Sequence, residues 1–155
     1  AIGIGPVEIP KILDRPQIVT RTGPNTLKVD EFHRWAGPLQ AEFAKVLAEN
    51  ISLLLSTHQV AVYPWEAGFK PHYRIALDVR YFEGQLGKNV VLEAVWRVSG
   101  QENEKIKTVK TSMIEEPLPA TDYKSLVAAE SQAIAQLSRE IAQEIRNLQA
   151  EGKTD

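Results

Sequence analysis

Hydrophobic and polar residues alternate along positions 72–114 in the pattern of three short β-strands. A two-residue period is typical of a strand that buries one face. In the first strand, 72–82, the apolar residues of one face are Tyr73, Ile75, Leu77, Val79 and Tyr81. In the second strand, 90–98, they are Val90, Leu92, Ala94, Trp96 and Val98. The pattern therefore predicts an antiparallel meander with one apolar face.

The glycine-containing segment 83–87 is the predicted turn between the first two strands, and it sets their expected register. The expected cross-strand pairs are Tyr81–Val90, Val79–Leu92, Leu77–Ala94 and Ile75–Trp96. Alternation is weaker in the third strand, 106–114, whose inner face is assigned to Val109, Thr111 and Met113. A slip of one residue would turn every apolar side chain of a strand to the other face, so we expect a single register.

Two longer segments have the three- and four-residue spacing of apolar residues that is typical of amphipathic helices. The first, 38–55, begins at Pro38, and proline is favoured in the first helical turn. The second, 122–149, starts at Thr121 or Asp122, either of which can cap a helix. A sheet with one apolar face must be covered. We therefore predict an α+β fold in which an antiparallel sheet carries both helices on one face.

The rest of the chain is predicted to add short strands. Residues 2–9 form a first strand that Gly3, Gly5 and Pro6 interrupt, as in a bulged or edge strand. The other predicted elements are a hairpin of 17–22 with 26–29, a connecting segment at 30–35 with one helical turn, and a strand at 59–63. We expect residues 1–150 to form one domain and residues 151–155 to form a disordered tail.

Composition excludes several classes of protein. The chain has 155 residues and a formal net charge of −2, which argues against a nucleic-acid binder because such a protein needs a basic face. It has no cysteine, so it can form neither a disulfide nor a thiolate site. No apolar run approaches the roughly 20 residues that span a bilayer. The chain begins at Ala1 rather than at methionine, and we expect it to be a processed form.

Motifs that carry catalysis or bind metal are missing from the sequence. The histidines at 33, 58 and 72 do not have the spacing of metal ligands. There is no G-x-S-x-G elbow and no glycine-rich phosphate loop. Glu115 and Glu116 are neighbours, but on a strand their side chains point to opposite faces. We therefore predict no catalytic residue, no metal site and no cofactor, and we do not expect an enzyme.

Two loops are better candidates for binding another protein. The turn Asp14-Arg15-Pro16-Gln17, together with Arg21, could present an arginine to a carboxylate of a partner. The alternative is that Asp14 and Arg15 pair with each other. In Tyr63-Pro64-Trp65 two aromatic residues flank a proline, and aromatic residues are enriched at interfaces.

The outer face of the sheet is a third candidate surface. Its charged residues are expected to be Arg74, Arg80, Glu93, Arg97 and Lys110, and its apolar residues Val91, Val95 and Phe82. Such a face is usually solvated, but an apolar patch that is rimmed by charge can also bind a partner.

The same residues resemble a known family. Segments 3–10 and 13–21, the latter with Leu-Asp-Arg-Pro-Gln, are similar to the opening of the PqiC (YmbA) family of auxiliary lipoproteins of ABC-type and MCE-type transport systems. Segments 32–39 and 63–65 and the helix at 126–142 continue the likeness through nearly the whole chain. The family's signal peptide and lipidated cysteine have no counterpart in these residues.

The resemblance implies a periplasmic domain that a lipid anchors to the inner leaflet of a Gram-negative outer membrane. It would work beside an MCE-domain protein and an integral inner-membrane subunit, and it brings no catalytic residues; a homo-oligomer is a further possibility in our own docking hypothesis. The leading hypothesis is a docking subunit of intermembrane lipid transport. The alternative is a lipid-binding carrier, which would need an apolar cavity of roughly 300 Å³ between helix and sheet.

Overall fold

In a computed structural model of the protein, the described residues are 1–13, 17–23, 26–34, 38–101 and 105–154. They form seven strands and two helices. In chain order these are β1 (Ile2–Glu8), β2 (Gln17–Gly23), β3 (Thr26–Arg34), α1 (Leu39–Leu54), β4 (Val60–Val62), β5 (Tyr73–Gln85), β6 (Asn89–Gly100), β7 (Ile106–Pro117) and α2 (Tyr123–Thr154). The predicted α+β class and the predicted meander, now β5–β6–β7, are confirmed.

The sheet is mixed rather than wholly antiparallel. Within the meander and in the β2–β3 hairpin the strands are antiparallel, as predicted. However, β1 pairs parallel with both β4 and β5, and β2 meets β5 parallel at Thr20 and Gly84. Parallel neighbours need a crossover, and α1 supplies it between β1 and β4. One edge of β5 is therefore shared by two strands, with β1 beside the first half of β5 and β2 beside the end of β5.

Both helices pack on one face of the sheet. Phe43 and Leu47 of α1 and Leu137 and Ile141 of α2 are at most 1% exposed, together with Trp96 of β6. The helices also meet each other, where Asn50 Nδ2 donates a hydrogen bond to Ser138 Oγ at 3.2 Å. At its start α2 is capped by Asp122, one of the two predicted caps, and hydrogen bonds from Ser125 lower the pKa of this carboxylate.

The predicted register of the first hairpin is wrong, by two residues as far as Val79 and by three at Tyr81. Leu77 lies opposite Trp96 and Ile75 opposite Val98, because β5 continues to Gln85 and the turn lies at 86–88. A bulge between Val79 and Tyr81 then changes which residues face the core. Tyr81, expected inside, turns outward. Phe82, expected outside, is 3% exposed and packs edge-on against Phe43.

The predicted inner face of the third strand is also wrong. Val109 and Met113 are 61% and 64% exposed, whereas Ser112 and Ile114 are buried. Trp96 explains this choice, because its buried Nε1 donates to Ser112 Oγ at 2.9 Å and a buried indole N–H needs such a partner. The side chain of Ser112 therefore faces inward, and that of its neighbour Met113 faces outward.

Three boundaries differ from prediction. β3 continues to Arg34, through the described part of the segment that was expected to hold a helical turn, and β7 continues into the predicted linker as far as Pro117. α2 is helical to Thr154, past the expected end at 149.

Candidate functional site

An aromatic cluster lies where the loop after β4 returns to the sheet. It consists of Tyr63, Trp65, Phe69 and Arg74. The ring of Trp65 lies edge-to-face with Tyr63 at 5.4 Å between centroids and with Phe69 at 5.8 Å. The Arg74 guanidinium carbon lies 5.5 Å from the Tyr63 centroid and 5.4 Å from the Trp65 centroid. The Arg74 guanidinium is thus within the distance of a cation–π interaction to both rings.

Two glycines of β1 form the floor of this cluster. A β-carbon on Gly3 would lie 2.7 Å from the Trp65 ring, and one on Gly5 would lie 2.7 Å from Tyr63 Cβ. Gly5 also has a φ of +125°, which a side chain would strain. Its carbonyl accepts a hydrogen bond from Arg74 Nε at 3.2 Å. The predicted irregularity of β1 is present between Ile4 and Val7, a stretch that includes Gly5 but not Gly3, and both glycines leave room for the loop residues Tyr63 and Trp65 on the strand.

The cluster lies on the face of the sheet away from the helices. Ile75, the neighbour of Arg74 on β5, is fully buried in the core under the helices, so Arg74 points to the opposite face. Tyr63 is 48% exposed there. A groove of about 260 Å³ runs beside it, and its lining includes Trp65, Phe69, Lys70 and Arg74. The surface therefore combines exposed aromatic area with positive charge.

A second polar group lies at the other end of β5, on the same face. Arg21 Nε lies 2.6 Å from Glu83 Oε2, and its guanidinium carbon is 5.4 Å from the centroid of the Tyr81 ring. The hydrogen bond to Glu83 raises the pKa of Arg21 above its ordinary value. A β-carbon on Gly84 would point at Leu126 of α2, so Glu83, the neighbour of Gly84, faces away from the helices.

Removing this arginine should destabilise the fold. Glu83 is only 8% exposed, so Arg21→Ala would leave its carboxylate buried without its ion-pair partner. We expect the free energy of unfolding to fall by about 2 kcal/mol, measured by urea denaturation. Arg80→Ala is the matched control, since the Arg80–Asp78 pair is 3.6 Å long and about half exposed, and it should cost at most about 0.5 kcal/mol. Equal losses in both variants would contradict this interpretation.

The predicted contact residues occupy separate places. Asp14, Arg15 and Pro16 lie outside the described residues, and Gln17 begins β2. Arg21 lies roughly 30 Å along β5 from the aromatic cluster at the strand rise per residue, so the structure does not bring it together with Tyr63 and Trp65. Sequence reasoning overlooked Phe69 as part of the aromatic cluster. Its four-residue spacing from Trp65 was the available signal.

The outer sheet face differs from its prediction at two positions. Phe82 is in the core, and Lys110 lies on the helix side, where its Nζ is 2.9 Å from Glu144 Oε2. Val91 and Val95 are half-buried on the outer face. The exposed side chains of Val109 and Met113 extend this apolar area onto β7.

Several polar groups lie between α2 and β7. Glu140 and Glu144 line a groove of about 350 Å³ between α2 and β7 with Lys110 and Arg139. Burial opposes ionisation of Glu144, but hydrogen bonds from Lys110 and Thr108 outweigh it and lower the pKa. Within the described part of the chain, no three His, Asp or Glu side chains lie close enough to hold a metal ion. No described helix carries an apolar stretch long enough to cross a bilayer.

Solved structures share this fold. A crystal structure described as that of an uncharacterized protein is 23% identical, with 93% of this chain and 90% of that chain covered and a TM-score of 0.80. A Xanthomonas campestris protein of family DUF330 is 21% identical, with 99% and 87% covered and a TM-score of 0.82. A hypothetical protein of Chlamydia trachomatis is 16% identical, with 93% and 94% covered and a TM-score of 0.54. At these identities the likeness shows the fold alone.

Sequence comparison gives the family. No curated protein matches the chain in a direct search. A family model does match, over residues 1–142, and it describes the ABC-type transport auxiliary lipoprotein component. The match covers all seven strands and most of α2, including both β1 glycines and the aromatic cluster. The chain therefore belongs to the family of ABC-type transport auxiliary lipoprotein components.

Proposed function

We propose that this protein is a non-enzymatic periplasmic domain that docks an MCE/ABC-type intermembrane lipid transport system to the outer membrane. A lipid on the full-length chain would hold it at the periplasmic side of that membrane, since lipid chains can anchor a domain that has no membrane span of its own. The partners in this proposal are an MCE-domain protein and the integral inner-membrane subunit of the same system. Family membership supports the coarser part, an auxiliary component of ABC-type transport.

The aromatic cluster is the observation that carries the docking proposal. It presents tyrosine, tryptophan and arginine together, which are the residue types most enriched at the energetic centres of interfaces. The Trp65 ring packs against Gly3 and the Tyr63 β-carbon packs against Gly5, so these two side chains have less freedom to lose on binding. Tyr63 is 48% exposed and therefore accessible to a partner. The groove beside Phe69 and Lys70 could receive an apolar or acidic side chain of that partner.

The acyl-chain carrier has less support. The interface between helices and sheet is filled by large side chains that are less than 2% exposed, among them Trp96, Phe43, Leu47 and Ile51. The groove at its edge is lined by charged groups such as Lys110 and Glu144, which an acyl chain would desolvate without compensation. These observations favour a protein that acts through its surface.

Replacing Trp65 should weaken binding to the MCE-domain partner. We expect Trp65→Ala to raise the dissociation constant at least tenfold, because an interface tryptophan commonly contributes about 2 kcal/mol or more. The measurement is a pull-down followed by titration of the purified partner. Arg15→Ala in the same assay tests the predicted contact in the turn at 14–17.

Leu53→Ala is the matched control for this experiment. Leu53 is 79% exposed on α1, which packs on the other face of the sheet, so its loss should leave binding unchanged. Thermal denaturation of each variant would show that the fold is intact. Undiminished binding by a folded Trp65→Ala variant would remove the aromatic cluster as the docking site.

A further inference from the structure

The loop between β4 and β5 carries the three rings of the aromatic cluster, and few backbone hydrogen bonds hold it. At its start, the Tyr63 N–H donates to the Ile4 carbonyl at 2.8 Å. Among the described residues, 64–71 make one further bond between backbone groups, from Phe69 N to Glu66 O at 3.0 Å, and that bond lies within the loop. The middle of the loop is therefore attached to the sheet by its side chains.

Burial alone does little to fix this loop. Trp65 and Phe69 are only half-buried, and the residues between them are exposed. A segment with few buried apolar contacts and few backbone hydrogen bonds opens locally at low cost in free energy. The order of the Trp65 ring therefore depends on the groups that the ring touches.

Arg74 connects the rings to the sheet. Its backbone lies in β5 opposite Gly3 of β1, and its Nε donates to the Gly5 carbonyl at 3.2 Å. The same guanidinium lies 5.4 Å from the Trp65 centroid and 5.5 Å from the Tyr63 centroid. Because the side chain is bonded to one strand and rooted in the next, it gives both rings a fixed point of attachment.

We propose that Arg74 is the positioning residue of the docking site. It holds Trp65 and Tyr63 in the arrangement that the partner meets, and it acts through these rings rather than by touching the partner. This inference rests on the proposed docking function. Without Arg74 the loop would occupy other arrangements, and the apparent affinity would fall with the fraction of molecules that keep the competent one.

A lysine cannot take over this role. The guanidinium is planar and carries several donors, so one group can bond the Gly5 carbonyl while its face lies on the rings. An ammonium is a point charge without such a face. Arg74→Lys therefore keeps the charge but loses the positioning, which separates this role from electrostatic attraction of an acidic partner.

Nuclear magnetic resonance of the free chain tests the positioning directly. We would measure ¹⁵N relaxation of the indole groups and identify the Trp65 signal with Trp65→Phe. Arg74→Ala and Arg74→Lys should each lower the Trp65 order parameter from about 0.85 towards about 0.6, the values that mark rigid and flexible backbone. Trp96, whose Nε1 is hydrogen-bonded in the core, should not change and shows that the fold is intact.

Binding kinetics with the purified MCE-domain partner test the consequence for docking. When the competent arrangement becomes rare, association slows in proportion, but a complex that has formed dissociates as before. Arg74→Ala and Arg74→Lys should each lower the association rate constant about fivefold to tenfold and leave the dissociation rate constant within about twofold. Trp65→Ala, which removes a contact, should instead raise the dissociation rate constant.

Arg139→Ala is the matched control for the loss of one positive charge. Arg139 is exposed on α2, on the other face of the sheet, so its removal should leave the Trp65 order parameter and both rate constants unchanged. Measurement at about 0.15 M salt screens exposed charges that are more than about 8 Å apart.

Three results would overturn the proposal. The first is an unchanged Trp65 order parameter in Arg74→Ala. The second is faster dissociation of that variant with unchanged association, which would make Arg74 a contact residue. The third is an Arg74→Lys variant that associates like the parent chain, which would make charge the cause. A parent chain that does not bind the MCE-domain partner would refute the docking function, and the relaxation of the free chain would still decide whether Arg74 positions the rings.

Discussion

Replacing Glu130 with glutamine should stabilise the protein by about 3 kcal/mol at pH 7. Glu130 lies on α2 and is 4% exposed, and one of its carboxylate oxygens has no hydrogen-bond partner. Burial in the core raises the pKa of Glu130 to about 8, from 4.5. The folded state therefore holds this proton more tightly than the unfolded state does. Glutamine resembles the protonated acid in shape and lack of charge, so the substitution removes the cost of ionisation.

The sign of the pH dependence follows from linkage. Below pH 4.5 the acid is protonated in both states and contributes no penalty. Between pH 4.5 and about 8 the unfolded state has lost the proton and the folded state has kept it, so stability falls as pH rises. Each pH unit in this window costs about 1.4 kcal/mol, so the penalty approaches about 5 kcal/mol at its upper end.

Urea denaturation at pH 5, 7 and 8.5 would measure this effect. The difference between Glu130→Gln and the parent chain should be small at pH 5 and should grow with pH. Glu49→Gln, at an exposed position of α1, should follow the parent at all three values. Parallel pH profiles for the Glu130 variant and the parent would show that the carboxylate is ionised at little cost in the folded state.

The position of Glu130 could have been read from the sequence. It lies four residues after Leu126 and four before Ile134, on the apolar stripe that predicted α2. The stripe was interpreted from its apolar members alone, so a charged residue within it was passed over. Its environment depends on which α1 and sheet residues meet the helix, and periodicity within α2 does not encode these.

Local periodicity predicted where the strands and helices lie better than it predicted which strands pair with each other. α1 and the three strands of the meander follow from repeats that a single segment contains. The parallel pairing of β1 with β5 does not, because alternation determines which face a side chain takes but not which strand lies beside it. The bulge after Val79 was not predicted from the sequence either. Because of this bulge, Phe82 rather than Tyr81 faces the core.

The candidate site shows the same division. Tyr63 and Trp65 were predicted from two aromatic residues beside a proline in one loop. The floor of Gly3 and Gly5 and the cation of Arg74 come from strands far along the chain, and only the parallel β1–β5 pair brings them together. The predicted contacts at Asp14, Arg15, Pro16 and Gln17 stay predictions, which the Arg15→Ala binding experiment addresses.

Gly84→Ala should be among the most damaging small substitutions in the chain. Gly84 was predicted as a turn residue, but it lies within β5, where its bare backbone faces α2. An added β-carbon would lie 2.1 Å from Leu126 Cδ1, well inside contact distance. Leu126 is fully buried, so its side chain can move aside only by displacing its neighbours in the close-packed core. We expect a loss of about 3 kcal/mol in the free energy of unfolding, measured by urea denaturation.

Gly68→Ala is the matched control, because a β-carbon there meets no atom within 4 Å, and we expect a change within about 0.5 kcal/mol. Leu126→Ala alone should cost about 2–5 kcal/mol through the cavity that it leaves. In the double variant, the alanine methyl at Gly84 would occupy part of that cavity. The loss in free energy of unfolding should therefore be smaller than the sum of the two single losses by about 1 kcal/mol or more, which is within the range of coupling between residues in contact. Additive losses, or a Gly84→Ala variant as stable as Gly68→Ala, would mean that α2 does not rest on this glycine. α2 also reaches β6 and β7, so the contact between Gly84 and Leu126 is one of several that hold the helix on the sheet, and it lies on β5, whose outer face carries Arg74 of the aromatic cluster.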